Sequence, residues 1–248
     1  MNKVICKKRI VAIHQPNLFP WLGFFDKINR SDVFIFLDHV INNPRNSLWT
    51  KRVQILSNGI PYWLTLPLEH TSGNVFLPIN KMRISQVFNK KKHLQTIHQN
   101  YNRAKYFTSV FQFIECFYND DESSLLAEKN FNFIISISQE IGISTRFLIS
   151  SKLDPVSSAS EMLIDLVLKA GGTTYLYGGL GENYQQKDKF DAAGISLEAQ
   201  NFQHPNYPQI NTSNFIPGLS ILDALFNIGF VGVAELLRDL KTNKNKDY

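Results

Sequence analysis

The chain has 248 residues, of which 44% are hydrophobic and 19% are charged, and its formal net charge at pH 7 is +5. This composition excludes an intrinsically disordered chain, and the modest positive charge favours anionic ligands without by itself indicating a nucleic-acid-binding protein. Two cysteines are too few for a disulfide framework or a cysteine zinc site, and no segment has the ~18 apolar residues of a membrane span, so we expect a cytoplasmic protein.

The first elements are predicted to be a strand, a polar turn, a helix and a second strand. Residues 10–13 form an apolar run typical of a buried strand, and the polar turn H-Q-P-N follows it. Apolar residues at helical spacing begin at Trp21, and residues 33–37 form a second buried-strand pattern. Because such a crossover connects parallel strands, we expect His14 and Asp38 to lie side by side at the carboxyl edge of the sheet.

The rest of the chain continues with helix and strand patterns. Asn58-Gly59 between apolar-rich runs predicts a β-hairpin. Helices are predicted over residues 84–100, 106–118, 120–141, 158–170, 221–228 and 233–240, and further strands over 147–149, 174–177 and 195–199. These patterns predict an α/β fold, a mostly parallel open sheet flanked by helices with a β-hairpin insertion. We expect residues 1–240 to form a single domain and residues 241–248 a basic frayed tail.

The turn after the first strand carries the first candidate site residues. His14 titrates near neutral pH and could act as a general base or acid, and the amides of Gln15 and Asn17 suit hydroxyls or a carbonyl. The alternative is that His14 and Asn17 only hydrogen-bond the turn backbone. Asp38 could orient His14, bind a metal or hold a ribose, or simply cap a turn.

Basic residues follow Asp38 in the chain. Arg45, Lys51 and Arg52 could clamp a phosphate or a carboxylate, since guanidinium forks match those anions. A solvated basic surface is the alternative for each of them.

Two later segments carry further candidates. Gly178 and Gly179 follow a predicted strand and could expose backbone amides to an anion, with Tyr184 beside them, or they could form only a tight turn. In H-P-N-Y-P-Q, two prolines would hold His204 and Gln209 in place, whereas the alternative is a surface loop packed by Tyr207. The pair Ser220 and Asp223 matches a helix capping box.

Three segments of the chain resemble the WbqC-like protein family. They are I-H-Q-P-N-L-F-P-W-L-G-F-F-D-K-I with D-V-F-I-F-L-D, then Y-L-Y-G-G-x-G-x-x-Y, and then H-P-N-Y-P-Q with F-I-P-G-L-S-I-L-D-A-L-F-N-I-G, in the family's order. This chain has Tyr177-Gly178-Gly179 where the family more often has Ser-Gly, and Asp38-His39 where two acidic residues are common. The resemblance carries over, as site positions, His14, Gln15, Asn17, Asp38, Tyr177, Gly178, Tyr184, His204, Gln209 and Asp223.

The resemblance implies a bacterial protein of O-antigen or capsule biosynthesis that transfers glycine or a related acyl group to an amino sugar. We therefore expect an N-acyl or aminoacyl transferase that acts on a nucleotide-linked amino sugar and uses an activated acyl or aminoacyl donor. His14, Asp38 and His204 would be catalytic, and Arg45, Lys51 or Arg52 would hold the diphosphate; no metal ligand is assigned. The alternative is a non-catalytic nucleotide-sugar or carrier-binding protein of the same pathway, and a third possibility is binding of a charged tRNA as donor.

Overall fold

A computed structural model describes residues 7–41, 48–69, 76–119, 123–155, 159–178 and 186–244. The strands of this part of the chain are β1 (Ile10–His14), β2 (Val33–Phe36), β3 (Arg52–Ser57), β4 (Ile60–Thr65), β5 (Arg146–Ile149), β6 (Thr174–Tyr177) and β7 (Ser196–Ala199). The α-helices are α1 (Leu22–Asn29), α2 (Lys90–Tyr101), α3 (Phe107–Asn119), α4 (Leu126–Glu140), α5 (Ala159–Lys169), α6 (Lys187–Ala192) and α7 (Ile221–Lys244). None of the helices in these ranges is both long enough and apolar enough to cross a membrane.

Five strands form one parallel sheet in the order β5-β2-β1-β6-β7. The chain starts at the centre with β1, adds β2 and β5 on one side, and then adds β6 and β7 on the other. This is the strand order of a doubly wound sheet, and its direction of growth reverses between β1 and β6. The predicted α/β class, a mostly parallel open sheet flanked by helices, is confirmed.

The interior of the sheet is apolar because its central strands are covered. All four residues of β2 are buried, as the uninterrupted run Val33–Phe36 predicts. Val11 and Tyr175 pack into one core cluster with Leu166 and Val167 of α5, which therefore covers one face of the sheet.

The predicted hairpin is confirmed as the antiparallel pair β3–β4. Asn58 and Gly59 connect its strands with φ angles of 50° and 78°. A two-residue turn with both φ angles positive matches the right-handed twist of the strands, and asparagine and glycine tolerate that conformation best.

Several predicted helix bounds are corrected by local contacts. Helix α2 begins at Lys90 rather than at residue 84, because the Asn89 side chain accepts a hydrogen bond from the Lys92 amide and caps the helix there. Ile84 instead forms an antiparallel bridge with Leu68. Helix α6 was not predicted, since Phe190 is the one buried residue among its six. Residues 120–122 and 158, the predicted starts of two helices, lie outside the described residues.

The chain divides into two compact units. The sheet unit consists of Met1–His14, Lys27–Leu37 and Ser144–Phe202, and so contains all five strands of the parallel sheet. The hairpin unit consists of Gln15–Asp26, Asp38–Ile143 and Gln203–Tyr248. The single domain over residues 1–240 stays a prediction, and α7 extends to Lys244, into the segment that was predicted to be frayed.

Candidate functional site

The carboxyl end of β1 lies at the point where the strand order reverses. His14 is the last residue of β1 and pairs with Phe36 of β2, and its carbonyl oxygen accepts a hydrogen bond from the Leu37 amide at 2.8 Å. The imidazole is half-buried. In doubly wound sheets, ligands bind outside the carboxyl ends of the strands at this reversal, so β1 and β6 define the candidate site of the sheet unit.

Lys27 of α1 contributes a buried ammonium group to this edge. Its Nζ donates to the Ile13 carbonyl oxygen at 3.3 Å, and the residue is only 4% exposed. Desolvation by burial lowers the pKa of Lys27 to about 8. Among the described residues, no carboxylate forms an ion pair with this ammonium group.

The residues that follow β6 and β7 lie around the same ammonium group. A Cβ atom added at Gly178 would lie 3.6 Å from Lys27 Nζ and 3.6 Å from Gln200 Oε1. Gln200 is 6% exposed, and its amide donates to the Tyr177 carbonyl oxygen at 2.8 Å. Lys27, Gly178 and Gln200 thus meet at the carboxyl ends of β1, β6 and β7.

The end of β7 is held by an ion cluster in the same unit. Arg30 donates to Glu198 at 2.9 Å and also to the Gln200 carbonyl oxygen, and Lys8 donates to Glu198 at 2.8 Å. Partial burial acts to raise the pKa of Glu198, but the hydrogen bonds and charges of Lys8 and Arg30 outweigh it and lower that pKa. These pairs hold the backbone of Gln200 at the end of β7.

The rest of the H-Q-P-N turn belongs to the hairpin unit. Asn130 of α4 clamps the turn, because its side-chain amide donates to the carbonyl oxygens of Pro16 and Thr50, both at 2.8 Å. Asn17 is 7% exposed, and both its contact with a substrate and the alternative that it hydrogen-bonds the turn backbone stay predictions. Gln15 is half-buried, and its contact with a substrate stays a prediction.

His204 packs among aromatic rings of the hairpin unit. Its ring lies 6.3 Å from Trp21, 5.3 Å from Phe215 and 6.1 Å from Tyr207, measured between centroids. Burial lowers the pKa of His204, against the opposing hydrogen bond between Nδ1 and the Pro205 carbonyl oxygen at 2.9 Å. We therefore expect a neutral imidazole at pH 7, and its role in proton transfer stays a prediction.

Asp223 lies at the centre of a buried hydrogen-bond network in that unit. Its carboxylate accepts from Tyr101 at 3.0 Å, from Tyr207 at 2.9 Å and from Gln209 at 2.8 Å. Burial raises the pKa of Asp223, while these three hydrogen bonds oppose the rise. The network joins α7 to α2 and to the segment that contains Tyr207, which gives Gln209 and Asp223 a structural role.

The predicted capping box at the start of α7 is only half present. Ser220 Oγ accepts from the Leu222 amide at 3.2 Å, as an N-cap does. The Asp223 carboxylate does not complete the box, because its partners are Tyr101, Tyr207 and Gln209, and the Ser220 amide donates to Gln54.

The remaining predicted residues lie in the hairpin unit or outside the described residues. Asp38 is 3% exposed, and its carbonyl oxygen accepts from the Asn80 amide. The guanidinium of Arg52 stacks over Trp63, 4.0 Å from the ring centroid, and Lys51 is half-buried beside it in sequence. Because His14 and Asp38 belong to different units, their expected closeness stays a prediction. Arg45, Gly179 and Tyr184 lie outside the described residues.

A cavity of about 320 Å³ in the hairpin unit is lined by residues that were not predicted. Phe88, Phe117 and Tyr118 form much of its wall, and Ser85 and Lys90 add polar groups. In the ranges that the structure describes, no cluster of three or more His, Cys, Asp or Glu side chains is arranged to hold a metal ion.

Sequence reasoning missed Lys27 and Gln200. The one available signal was the charged pair Asp26-Lys27 inside the otherwise apolar helix L-G-F-F-D-K-I-N, since buried charges are rare without a function or a partner. No local sequence pattern indicated a role for Gln200, which lies at the site only because β7 pairs with β6.

Comparison with known proteins gives the following relationships. Residues 15–235 match the WbqC-like protein family. The uncharacterized protein Rv1507c of Mycobacterium tuberculosis is 29% identical over 220 residues, which cover 88% of this chain and 94% of the relative. No solved structure matches the chain.

Proposed function

The chain belongs to the WbqC-like protein family, and on that premise we propose that it transfers an acyl or aminoacyl group to a nucleotide-linked amino sugar in the biosynthesis of a bacterial surface polysaccharide. The observation that supports this proposal is the position of His14 at the carboxyl end of β1, where the strand order reverses. A general base at this point of a doubly wound sheet lies where ligands bind. An imidazole gains and loses a proton near neutral pH, so it can accept the proton that an attacking amine releases.

In the proposed reaction, the amine of the sugar attacks the carbonyl carbon of an activated acyl ester or thioester. A carbon–nitrogen bond forms while the bond from the carbonyl carbon to the donor oxygen or sulfur breaks. The proton released by the amine passes to His14 and then to the departing oxygen or sulfur, so the protonation state of the enzyme is restored. His14 would thus act first as a general base and then as a general acid, and each role typically contributes roughly 10²–10⁴-fold in rate.

The test compares His14→Ala with His98→Ala, a control that removes an exposed histidine of α2. Each variant is incubated with UDP-linked amino sugars and a panel of acyl-coenzyme A and aminoacyl-tRNA donors, and the acylated sugar is measured by mass spectrometry. We expect His14→Ala to keep the circular dichroism spectrum of the wild type and to lose roughly 10²-fold or more of its turnover. His98→Ala should retain wild-type turnover.

Full turnover by His14→Ala would remove the assignment of His14 as the base. Saturable sugar-nucleotide binding by the wild type without turnover of any donor would contradict the transferase proposal. It would instead favour a non-catalytic binding protein of the same pathway.

A further inference from the structure

The sheet unit buries a positive charge whose partner is missing among the described residues. Lys27 is 4% exposed, and its single hydrogen bond, to the Ile13 carbonyl oxygen, is long at 3.3 Å. An ammonium group has three donors, so this bond leaves most of its hydrogen-bonding capacity unused. Lysine is almost never this deeply buried unless it is paired, because desolvation of an unpaired charge is costly. The burial of Lys27 therefore indicates that an anionic ligand supplies the partner of its ammonium group.

The space beside the ammonium group is kept open by a glycine. A methyl group at Gly178 would lie 3.6 Å from Lys27 Nζ and from Gln200 Oε1, and apart from Gly178 and its two chain neighbours no other described heavy atom lies within 4 Å of that point. An oxygen that accepts a hydrogen bond from Nζ would lie about 2.7–2.9 Å away, in the region that this methyl group would begin to fill. The absent side chain at Gly178 thus leaves room for a ligand oxygen in front of the charge.

The location adds an independent argument. The carbonyl oxygen of Ile13 belongs to β1, Gly178 follows β6, and these two strands flank the reversal of the strand order. Crevices outside the carboxyl ends of parallel strands at such a reversal are where doubly wound proteins bind their ligands. A cation at this point is therefore placed to meet a ligand rather than to close the core.

We propose that Lys27, Gly178 and Gln200 form a subsite for an anionic oxygen group, with the Lys27 ammonium as its binding charge. Two sources share this chemistry: the diphosphate of a nucleotide-linked sugar and the carboxylate of a small acyl compound. The subsite deepens the proposed transferase function and rests on it for the identity of the natural ligand. Its test requires binding alone, so the failure of either proposal can be recognised separately.

A purely structural role for Lys27 has a matched comparison in this chain. Lys129 of α4 is also buried, at 8% exposed, and donates to the Phe117 carbonyl oxygen at 3.1 Å. Its ammonium also lies 5.4 Å from the centroid of the Phe117 ring, a cation–π contact. Lys129 is therefore a buried lysine whose ammonium group has a carbonyl and a ring as partners, at the wall of the cavity in the hairpin unit, and Lys129→Met is the control for loss of a buried lysine.

The experiment is isothermal titration calorimetry at pH 7 with pyrophosphate, inorganic phosphate and acetate as separate probes. Wild-type protein is compared with Lys27→Met, Gly178→Ala and Lys129→Met. We expect the wild type to bind at least one probe, Lys27→Met and Gly178→Ala to bind it at least tenfold more weakly, and Lys129→Met to bind it within twofold of the wild type. Tighter binding of the phosphates assigns the subsite to a diphosphate, and tighter binding of acetate assigns it to a carboxylate.

The proposal is overturned if the wild type binds none of the probes, or if Lys27→Met binds as tightly as the wild type. It is also overturned if Lys129→Met, and not Lys27→Met, loses binding. Should Lys27→Met fail to fold, Gly178→Ala decides, because a Cβ at 3.6 Å is an ordinary van der Waals contact that the fold accommodates. Anion binding without any acyl transfer would leave the subsite standing and contradict the transferase proposal alone.

Discussion

At the scale of single residues, two buried ionisable groups show opposite solutions to burial. The Asp223 carboxylate receives hydrogen bonds from Tyr101, Tyr207 and Gln209, which compensate part of its desolvation within the hairpin unit, although burial still raises its pKa. Lys27 has one long hydrogen bond to a carbonyl oxygen, and burial is the cause of its lowered pKa. The first arrangement stabilises the fold, whereas the second costs free energy that a ligand would recover.

The lowered pKa of Lys27 predicts how stability depends on pH. The pKa is about 8 in the folded protein and 10.5 for an ordinary lysine, so between these values the unfolded chain binds more protons than the folded one. The free energy of unfolding must then rise with pH across this window and level off above it, by about 3–4 kcal/mol at most, since each pH unit contributes up to about 1.4 kcal/mol. Nζ donates to the Ile13 carbonyl oxygen, and a Cβ atom added at Gly178 would lie 3.6 Å from both Nζ and Gln200 Oε1; none of these groups titrates.

The measurement is urea unfolding of the wild type and Lys27→Met at pH 7, 8, 9 and 10. Because both proteins share every other titrating group, their difference in unfolding free energy isolates Lys27. We expect Lys27→Met to be at least as stable as the wild type at pH 7. As the pH rises, the free energy of unfolding of the wild type should increase relative to that of the variant. A difference that stays constant from pH 7 to pH 10 would show that Lys27 is not desolvated as described.

At the scale of elements, apolar patterns predicted the sheet well because a strand that is buried on both faces has an uninterrupted run of apolar residues. The run Val33–Phe36 is uninterrupted and wholly buried, and β6 has the bounds that were predicted for it. The start of α2 was less predictable, since residues 84–89 have no local signal against a helix apart from Asn89, which proved to be its cap.

Residues of the candidate site were predictable only where they end a predicted strand or directly follow one. His14 and Gly178 could be placed because each comes immediately at or after an apolar run. Lys27 and Gln200 could not, because their burial depends on the pairing of β1, β6 and β7, which are far apart in the chain. Sequence spacing carries no direct information on such long-range pairing.

Helix α7 carries a break whose cause is a close approach. Gly229 has φ 72° and ψ 177°, outside the helical region, and a Cβ there would lie 2.7 Å from the Tyr106 ring. The break separates two helical stretches, in agreement with the two helices that the sequence predicts over residues 221–228 and 233–240. Glycine is required at this position both for its positive φ and for the ring that packs on it.

We predict that Gly229→Ala destabilises the protein more than Gly142→Ala does. Both glycines have φ near +70°, at 72° and 73°, but nothing lies within 4 Å of a Cβ at Gly142. Gly142→Ala should therefore cost about 1–2 kcal/mol from backbone strain, and Gly229→Ala a further ~1–3 kcal/mol from the clash with Tyr106 and from a ψ angle of 177° that only glycine adopts readily at positive φ. Urea unfolding of both variants checks this, and equal losses would contradict the prediction.

At the scale of the whole molecule, each compact unit is assembled from three separated segments of the chain. Such interleaving leaves no linker to detect, which is why composition and turn signals indicated one continuous domain. The parallel sheet nevertheless lies in one unit, together with Lys27 and the ends of β1, β6 and β7. The charge, the glycine and the strand reversal that define the candidate site therefore come from a single unit.

We propose that the ligand binds at the carboxyl edge of the parallel sheet, between the ends of β1 and β6. The most direct measurement is a crystal structure of the protein grown with a UDP-linked amino sugar. We predict ligand density with an anionic oxygen within hydrogen-bonding distance of Lys27 Nζ and next to Gly178. The proposal would be contradicted by a fully occupied ligand that binds elsewhere and makes no contact with the Lys27 ammonium group, for example in the cavity beside Ser85 and Lys90.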